Sequence, residues 1–284
     1  MAPSKTCIIF SISSDIGCAL AHSRLQQGWS VLGTYRTASA ATRQLEQAGA
    51  ELVYGDFASR SSLQTACEQL QANDVNWNEL IVAPGTLEPI GPFAEVNFDD
   101  WANSVELNFI SQLFVVHQLL PARAEQPQVI FFAGAATNGT ADNFSAYAIS
   151  KIALIKMTEL LDSEIPDTCF SIIGPGWVHT KIHNETLVAG DRCTDSYQET
   201  RRRLQENHFV SMDQVVQCVD WLSRQSKAAV GGRNISVQYD RWQQTGFAEL
   251  LAANPELGKL RRFGNRQLNG QPEAVVEAQK EHSQ

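Results

Sequence analysis

The chain reads as an α/β protein in three layers, built on a doubly wound, mainly parallel sheet of about seven strands in a single domain. Three observations predict this. Short β-rich runs alternate with longer helical patterns from residue 6 to about residue 240. Several of the runs, such as Val129-Ile-Phe-Phe-Ala133, are continuously apolar rather than alternating, the pattern of parallel strands covered on both faces. The composition, 43% hydrophobic and 19% charged over 284 residues, supplies a sizeable core.

Taken in order, strands are expected at 6–11, 30–35, 51–54, 79–82, 128–133, 169–173 and 234–238. Helices are expected at 16–27, 38–48, 60–71, 99–120, 146–161 and 213–224. No internal repeat, low-complexity block or composition break divides the chain. Residues 1–240 are assigned to the sheet domain, a Rossmann fold, with a substrate-covering segment at about 181–211. Residues 241–284 form a C-terminal extension whose tail, polar and charged after Asn269, is expected to be partly disordered.

Lys plus Arg number 22 against 31 Asp plus Glu, a formal net charge of −9 that opposes nucleic acid as a partner. The N-terminus lacks the long apolar core of a signal peptide, and no window approaches the roughly 18 apolar residues of a membrane helix. A cytoplasmic protein without membrane contact is expected. The six cysteines (Cys7, Cys18, Cys67, Cys169, Cys193, Cys218) lie far apart, with no CxxC pair and no paired histidines. That spacing points to reduced thiols and to no metal site.

In a doubly wound sheet the first strand-to-helix turn is where a dinucleotide pyrophosphate sits on helix amides. Here it reads Ser11-Ile-Ser13-Ser14-Asp15-Ile16-Gly17. Small side chains at Ser11, Ser13 and Ser14 let phosphates approach, and the same serines also read as a helix N-cap. The second strand ends at Tyr35-Arg36, where an arginine suits a 2′-phosphate and an acidic residue would suit a ribose diol. Arg36 therefore favours NADP(H), with NAD(H) as the second option; a solvated surface arginine is the plainer reading. Asp56, in Gly55-Asp56-Phe57, is placed to accept from an adenine amine or to cap a turn.

The sharpest local feature is Tyr147-Ala-Ile-Ser-Lys151, whose two functional side chains share one helix face. A neighbouring ammonium favours the phenolate and a nicotinamide's positive charge adds to that, so Tyr147 is expected to be drawn down from about 10 towards neutrality and to act as general acid/base. Lys151 has donors to spare for ribose hydroxyls.

With these residues in order, the stretch from Lys5 to about Asp240 resembles the short-chain dehydrogenase/reductase family. Ser11–Gly17 takes the place of its TGxxxGIG turn, with Ser11 and Asp15 at the first two glycines. Val82-Ala83-Pro84-Gly85 stands for its NNAG stretch, and Asp56 for its adenine-side Asp. Asn108 matches its helix asparagine, which implies a water held there that relays protons behind Lys151. Tyr147 and Lys151 match its YxxxK, and Pro175-Gly176-Trp-Val178-His-Thr180 its PGxxxT. The family's catalytic serine falls at Gly134-Ala135, neither of which donates a hydrogen bond, so Thr137 and Asn138 are the candidates to replace it.

The resemblance implies a homodimer or homotetramer, and an NADP(H)-dependent carbonyl reductase or alcohol dehydrogenase acting on a small molecule. The chain also looks like an atypical branch associated with bacterial surface-polysaccharide and sialic-acid-like sugar clusters, which implies a sugar-like substrate, phosphorylated or nucleotide-linked. His179, His183 and Arg201–Arg203 read either as donors at the mouth of its pocket or as a solvated helix. Trp177 reads as packing or as a stacking platform. The altered turn and missing serine leave two alternatives: a nucleotide-binding sensor or assembly subunit without turnover, and a dehydratase or epimerase using a tightly held nicotinamide.

Overall fold

The computed structural model describes residues 5–72, 75–134 and 139–262. Seven parallel strands form one sheet in the order β3-β2-β1-β4-β5-β6-β7. They are β1 (Thr6–Phe10), β2 (Ser30–Tyr35), β3 (Glu51–Tyr54), β4 (Trp77–Val82), β5 (Arg123–Phe132), β6 (Cys169–Gly174) and β7 (Asn234–Ser236). The order reverses between β1 and β4, and a crevice forms at that switch beyond the carboxyl ends of the strands.

The apolar runs are explained by burial on both sides. Cys7 and Ile9 of β1, Ile81 of β4 and Ile130 and Phe132 of β5 face one core. That core is closed by α1 (Asp15–Gln26), α2 (Ala40–Gln47) and α9 (Met212–Leu222). Ile8, Phe10, Leu80, Val82, Val129 and Phe131 face the other, under α3 (Arg60–Leu70), α5 (Ser111–Leu119) and α6 (Ser145–Glu164). Successive strand side chains point to opposite faces, so a strand with helices above and below must be apolar at every position.

Three differences from the expected elements bear on function. The helix expected at 99–120 is interrupted. α4 (Phe98–Val105) passes through a π-type turn, Glu106–Ile110, before α5 begins. The covering segment is largely helical, with α7 (His183–Ala189) and α8 (Thr194–Glu206). The region after residue 240 does not stand apart: Trp242 and Leu251 are buried in the first core. Leu251 lies on α11 (Phe247–Ala253), which packs against the short α10 (Lys227–Val230). The residues after 262 lie outside the described ones. Among the described residues no helix is long and apolar enough to cross a membrane, and all six cysteines are free.

Candidate active site

The first turn is tight for reasons visible in its backbone. Ser11 sits at φ 60°, a left-handed conformation that its glycine-like position in the turn requires. Gly17 is equally constrained: a Cβ there would lie 2.4 Å from the Ser11 carbonyl. Ser14 caps α1 by accepting from the Gly17 amide at 3.0 Å. Asp15 points across the crevice. Its Oδ2 accepts from the Lys181 amide at 2.7 Å, and Oδ1 lies 3.6 Å from the Lys181 ammonium.

Arg36 and Asp56 follow the ends of the neighbouring strands β2 and β3, at the far side of the crevice from Tyr147. Arg36 is exposed, with no partner among the described residues. Asp56 accepts from the Ala58 amide at 3.0 Å, the turn-capping role that was one of its two readings. Phe57 is buried edge-on against Phe10, 5.9 Å between centroids.

Tyr147, Lys151 and Asn108 are brought together around the segment that follows β4. Lys151 is buried, and its Nζ donates to the Pro84 carbonyl at 3.4 Å and lies 5.9 Å from the Tyr147 ring centroid. Asn108, within the π-type turn, is spent on structure. Its Nδ2 donates to the Thr86 carbonyl at 2.9 Å and to Ser104 Oγ at 3.2 Å, while Oδ1 accepts from the Thr86 amide at 3.1 Å. The Asn108 carbonyl accepts from Gln112 Nε2 at 2.8 Å. Gln112 is a site residue that sequence reasoning missed. Its only sequence signal is a polar side chain on the apolar face of a helix.

The expected electrostatics of the pair are corrected. Burial pushes the Tyr147 phenol up to about 12, with the Glu185 carboxylate adding to the rise. Burial pushes the Lys151 ammonium down to about 7. Neither group faces an opposite charge, so desolvation outweighs the mutual effect on which the sequence expectation relied. At neutral pH Tyr147 is therefore a protonated phenol, and Lys151 exchanges its proton near that pH.

Gly134 accounts for the missing serine. A Cβ there would lie 2.5 Å from the Tyr147 hydroxyl and 2.7 Å from its ring. The phenol occupies the volume a serine side chain would need. Thr137 and Asn138, the expected substitutes, lie outside the described residues, as does Ala135.

The covering segment is pinned to this floor. Glu185 of α7 accepts from the Leu87 amide at 2.6 Å and from Thr86 Oγ1 at 3.1 Å. Tyr147 and Ile182 pack on an apolar cluster of Leu87, Ile90, Phe144, Ala189 and Cys193. Pro175 through Thr180 lead from β6 into this cover. Gly176 is at φ 73°, and Val178 is buried and bridged to Val210. Trp177 packs, stacked on His183 at 3.6 Å and on Phe209 at 5.7 Å. His183 donates from Nε2 to the Val178 carbonyl, and burial lowers it to about 4, so it carries no charge for an anion. His179 is an exposed rim residue stacked on Phe209. Arg202 and Arg203 pair with Glu199, and Arg202 also with Glu206, while Arg201 lies over Tyr197. Two of the three arginines are thus neutralised on the helix itself.

A cavity of about 580 Å³ opens beside the start of α6, lined by Glu95, Thr140, Asp142, Asn143, Asp191 and Asp195 among others. Cys193 belongs both to its lining and to the apolar cluster against Tyr147. Ala83 and Pro84 are largely enclosed and Gly85 is exposed. A Cβ at Gly85 would meet only Asn108 Oδ1 and Ile182, each at 3.7 Å, so the backbone there can lie against a planar group. The left-handed Ser11, the crowded Gly17, the open Gly85 and the buried Lys151 together fit a dinucleotide; Asp15 is the one group in the cradle that repels phosphate.

The family model for short chain dehydrogenases matches residues 5–189, and the chain belongs to that family. Among curated relatives, a serine 3-dehydrogenase of Rhizobium radiobacter is 25% identical over 238 residues, 79% of this chain and 90% of that protein. An uncharacterized oxidoreductase of Schizosaccharomyces pombe is 26% identical over 140 residues, 46% of this chain and only 55% of its own length. Among solved structures, a short chain dehydrogenase/reductase of Saccharomyces cerevisiae superposes with a TM-score of 0.76 at 20% identity, covering 84% of this chain and 98% of the other. The protein BdcA, solved in complex with NADPH, superposes at 0.66 with 21% identity over 82% and 92% of the two chains. The chain is accordingly an oxidoreductase of this family, with its nicotinamide-binding fold and small-molecule chemistry.

Proposed function

We propose that the protein is an NADP(H)-dependent reductase of a carbonyl group on a small, polar, sugar-like molecule, with Tyr147 as the proton donor. NADP(H), when bound, supplies the hydride donor or acceptor. Ser11, Ser13, Ser14 and Ile16 would hold its pyrophosphate at the first turn, and Arg36 its 2′-phosphate. Asp56 and Phe57 would flank the adenine. Ala83, Pro84, Gly85, Lys151 and the Pro175–Thr180 stretch would line the rest.

The observation that carries this reading is the pairing of half-buried Tyr147 with buried Lys151 at the strand ends, with a polar cavity opening at the start of the same helix. Tyr147 moves one proton from Oη to the substrate oxygen. Lys151, exchanging near neutrality, returns a proton to it. A phenol that is protonated at rest suits the reducing direction. Carboxylates and hydroxyls lining the cavity hydrogen-bond hydroxylated molecules, and Glu95, Asp142, Asp191 and Asp195, which outnumber the one lining cation Arg192, favour neutral or amine-bearing ones over phosphorylated ones. The serine 3-dehydrogenase among the relatives is named for a substrate of that polar kind. The free Arg36 and the NADPH complex of BdcA support the choice of cofactor.

Assembly as a homodimer or homotetramer is supported by the exposed apolar Ile110, Ile149 and Leu160 along α4–α6, and free thiols suit the cytoplasm. The test is NADPH oxidation with a panel of keto-sugars and hydroxyketones. Tyr147→Phe is expected to lower turnover by about 10²–10⁴, and unchanged turnover overturns the reading. A second reading, nucleotide binding without turnover, is favoured by Gly134 and the Asp15 tether; it predicts NADPH binding with no consumption by any member of the panel.

A further inference from the structure

Resting on the dinucleotide-binding part of that reading, we propose that Lys181 is a cofactor-binding residue, a cation that the cover brings over the first turn to hold a pyrophosphate. The turn itself supplies no cation. Ser11 through Gly17 contain no lysine or arginine, and the one charge among them, Asp15, is negative. A pyrophosphate set on the N-terminal amides of α1 lies beside that carboxylate and needs a counter-charge from elsewhere.

Lys181 stands where one is needed. It follows Thr180, at the point where the stretch after β6 turns into the cover. Its amide donates to Asp15 Oδ2 at 2.7 Å, which fixes the Lys181 backbone over the first residue of α1. Its ammonium lies 3.6 Å from Asp15 Oδ1, close enough for attraction and too far for a hydrogen bond. The Lys181 side chain is 76% exposed. Cys18, one turn along α1, feels both charges: burial and Asp15 raise its thiol, and Lys181 lowers it.

Backbone and side chain of Lys181 thus do separate things. The amide ties the cover to the floor. The ammonium, on a flexible stem with three donors, makes no hydrogen bond among the described residues. An ion pair this exposed contributes little, so the ammonium can turn from Asp15 to a doubly charged pyrophosphate and gain a stronger, charge-assisted contact. The other cations of the cover are engaged. Arg192 is bonded to Glu88 and to the Ile90 carbonyl, Arg202 and Arg203 to Glu199, and Arg201 lies over Tyr197. Asp15 is then the holder of the cation as well as the group that repels the phosphate.

The experiment measures the dissociation constants of NADPH and NADH by quenching of protein fluorescence, with no substrate present. Wild type is compared with Lys181→Met, Lys181→Arg, Asp15→Asn and the double variant Asp15→Asn/Lys181→Met. Lys181→Met keeps the amide and Asp15→Asn keeps an oxygen for it, so both retain the tether. Lys181→Met is expected to weaken both nucleotides about tenfold at low salt, less as salt is added, and Lys181→Arg to restore most of the loss. With Asp15→Asn no carboxylate remains to be neutralised, and adding Lys181→Met is again expected to weaken binding. Equal affinities of Asp15→Asn and the double variant mean that the lysine only balances Asp15, and they overturn the proposal. A loss confined to NADPH also overturns it, because it puts the ammonium on the 2′-phosphate. Wild type that binds nucleotide but reduces no carbonyl compound overturns the reductase reading without touching Lys181; wild type that binds neither nucleotide overturns both.

Discussion

Strand β4 separates two buried cations that are treated in opposite ways. Towards its start, Glu79 receives Arg24 of α1 through two bonds, Nε at 2.6 Å and Nη2 at 2.9 Å. The remaining donors of Arg24 reach Asp220 and Ser223, and the guanidinium lies over the Trp29 ring. Ser223 Oγ and the Cys7 thiol also donate to Glu79. Burial alone would weaken the hold of Arg24 on its proton, and the Glu79 carboxylate more than reverses this. Just past the other end of the same strand, Lys151 has among the described residues one carbonyl and no carboxylate, and a pKa pushed down to about 7. Charge is buried with full compensation where the molecule needs only to stand. It is buried without compensation where the proposed function has a proton leave.

The contrast can be broken most forcibly at Glu79. Glu79→Gln leaves the buried Arg24 with Asp220 as its remaining counter-charge and is expected to cost about 3–5 kcal/mol, read as a fall in Tm or in the urea midpoint. Lys151→Met orphans no partner. At pH 6 it should leave the protein as stable as wild type or more so, while abolishing turnover. A loss of stability as large as that of Glu79→Gln would dissolve the distinction between the two ends.

The pH dependence sharpens the point. Between pH 7 and 10.5 the unfolded lysine keeps a proton that the folded one has released, so this group makes stability rise with pH across that window. Urea unfolding of wild type minus Lys151→Met should show that rise, roughly 5 kcal/mol in full, and a flat difference would mean that the lysine is solvated or paired.

Restoring a serine is a smaller perturbation. Gly134→Ser pushes the Tyr147 ring from its place and should cost about 1–3 kcal/mol without raising turnover. Smallest, Ser14→Ala removes the α1 cap for about 1 kcal/mol and should weaken NADPH binding with little effect on kcat, measured by fluorescence titration.

What the sequence made legible follows from what each feature depends on. The strands could be read because Val129–Ala133 and its counterparts are apolar on both faces, a property local to the run. Tyr147, Lys151 and Asn108 could be placed by spacing and family likeness. The proton affinity of Tyr147 could not, because spacing shows the neighbouring ammonium but not the apolar packing of Leu87, Phe144 and Ile182. The π-type turn at Glu106–Ile110 was hidden inside a pattern that averages to an ordinary helix. Helix α8 could be read from the sequence only as one of two options, a solvated helix around Arg201–Arg203, because it carries Arg202 and Arg203 bonded to Glu199 and Glu206 in place of a broad apolar stripe. Asp15 read as a misplaced charge at a phosphate turn; its partner, Lys181, lies 166 residues away and leaves no local trace.

That tether, with Glu185 on the Leu87 amide, also sets how far the enzyme can be rebuilt piecemeal. One anchor belongs to the floor and reaches up, and the other belongs to the cover and reaches down. A loop exchange that imports another reductase's cover brings no amide aligned for Asp15, and one that imports only a glycine-rich turn leaves Lys181 without its clasp. Turn and cover form one transplantable module, and chimaeras should be cut outside both.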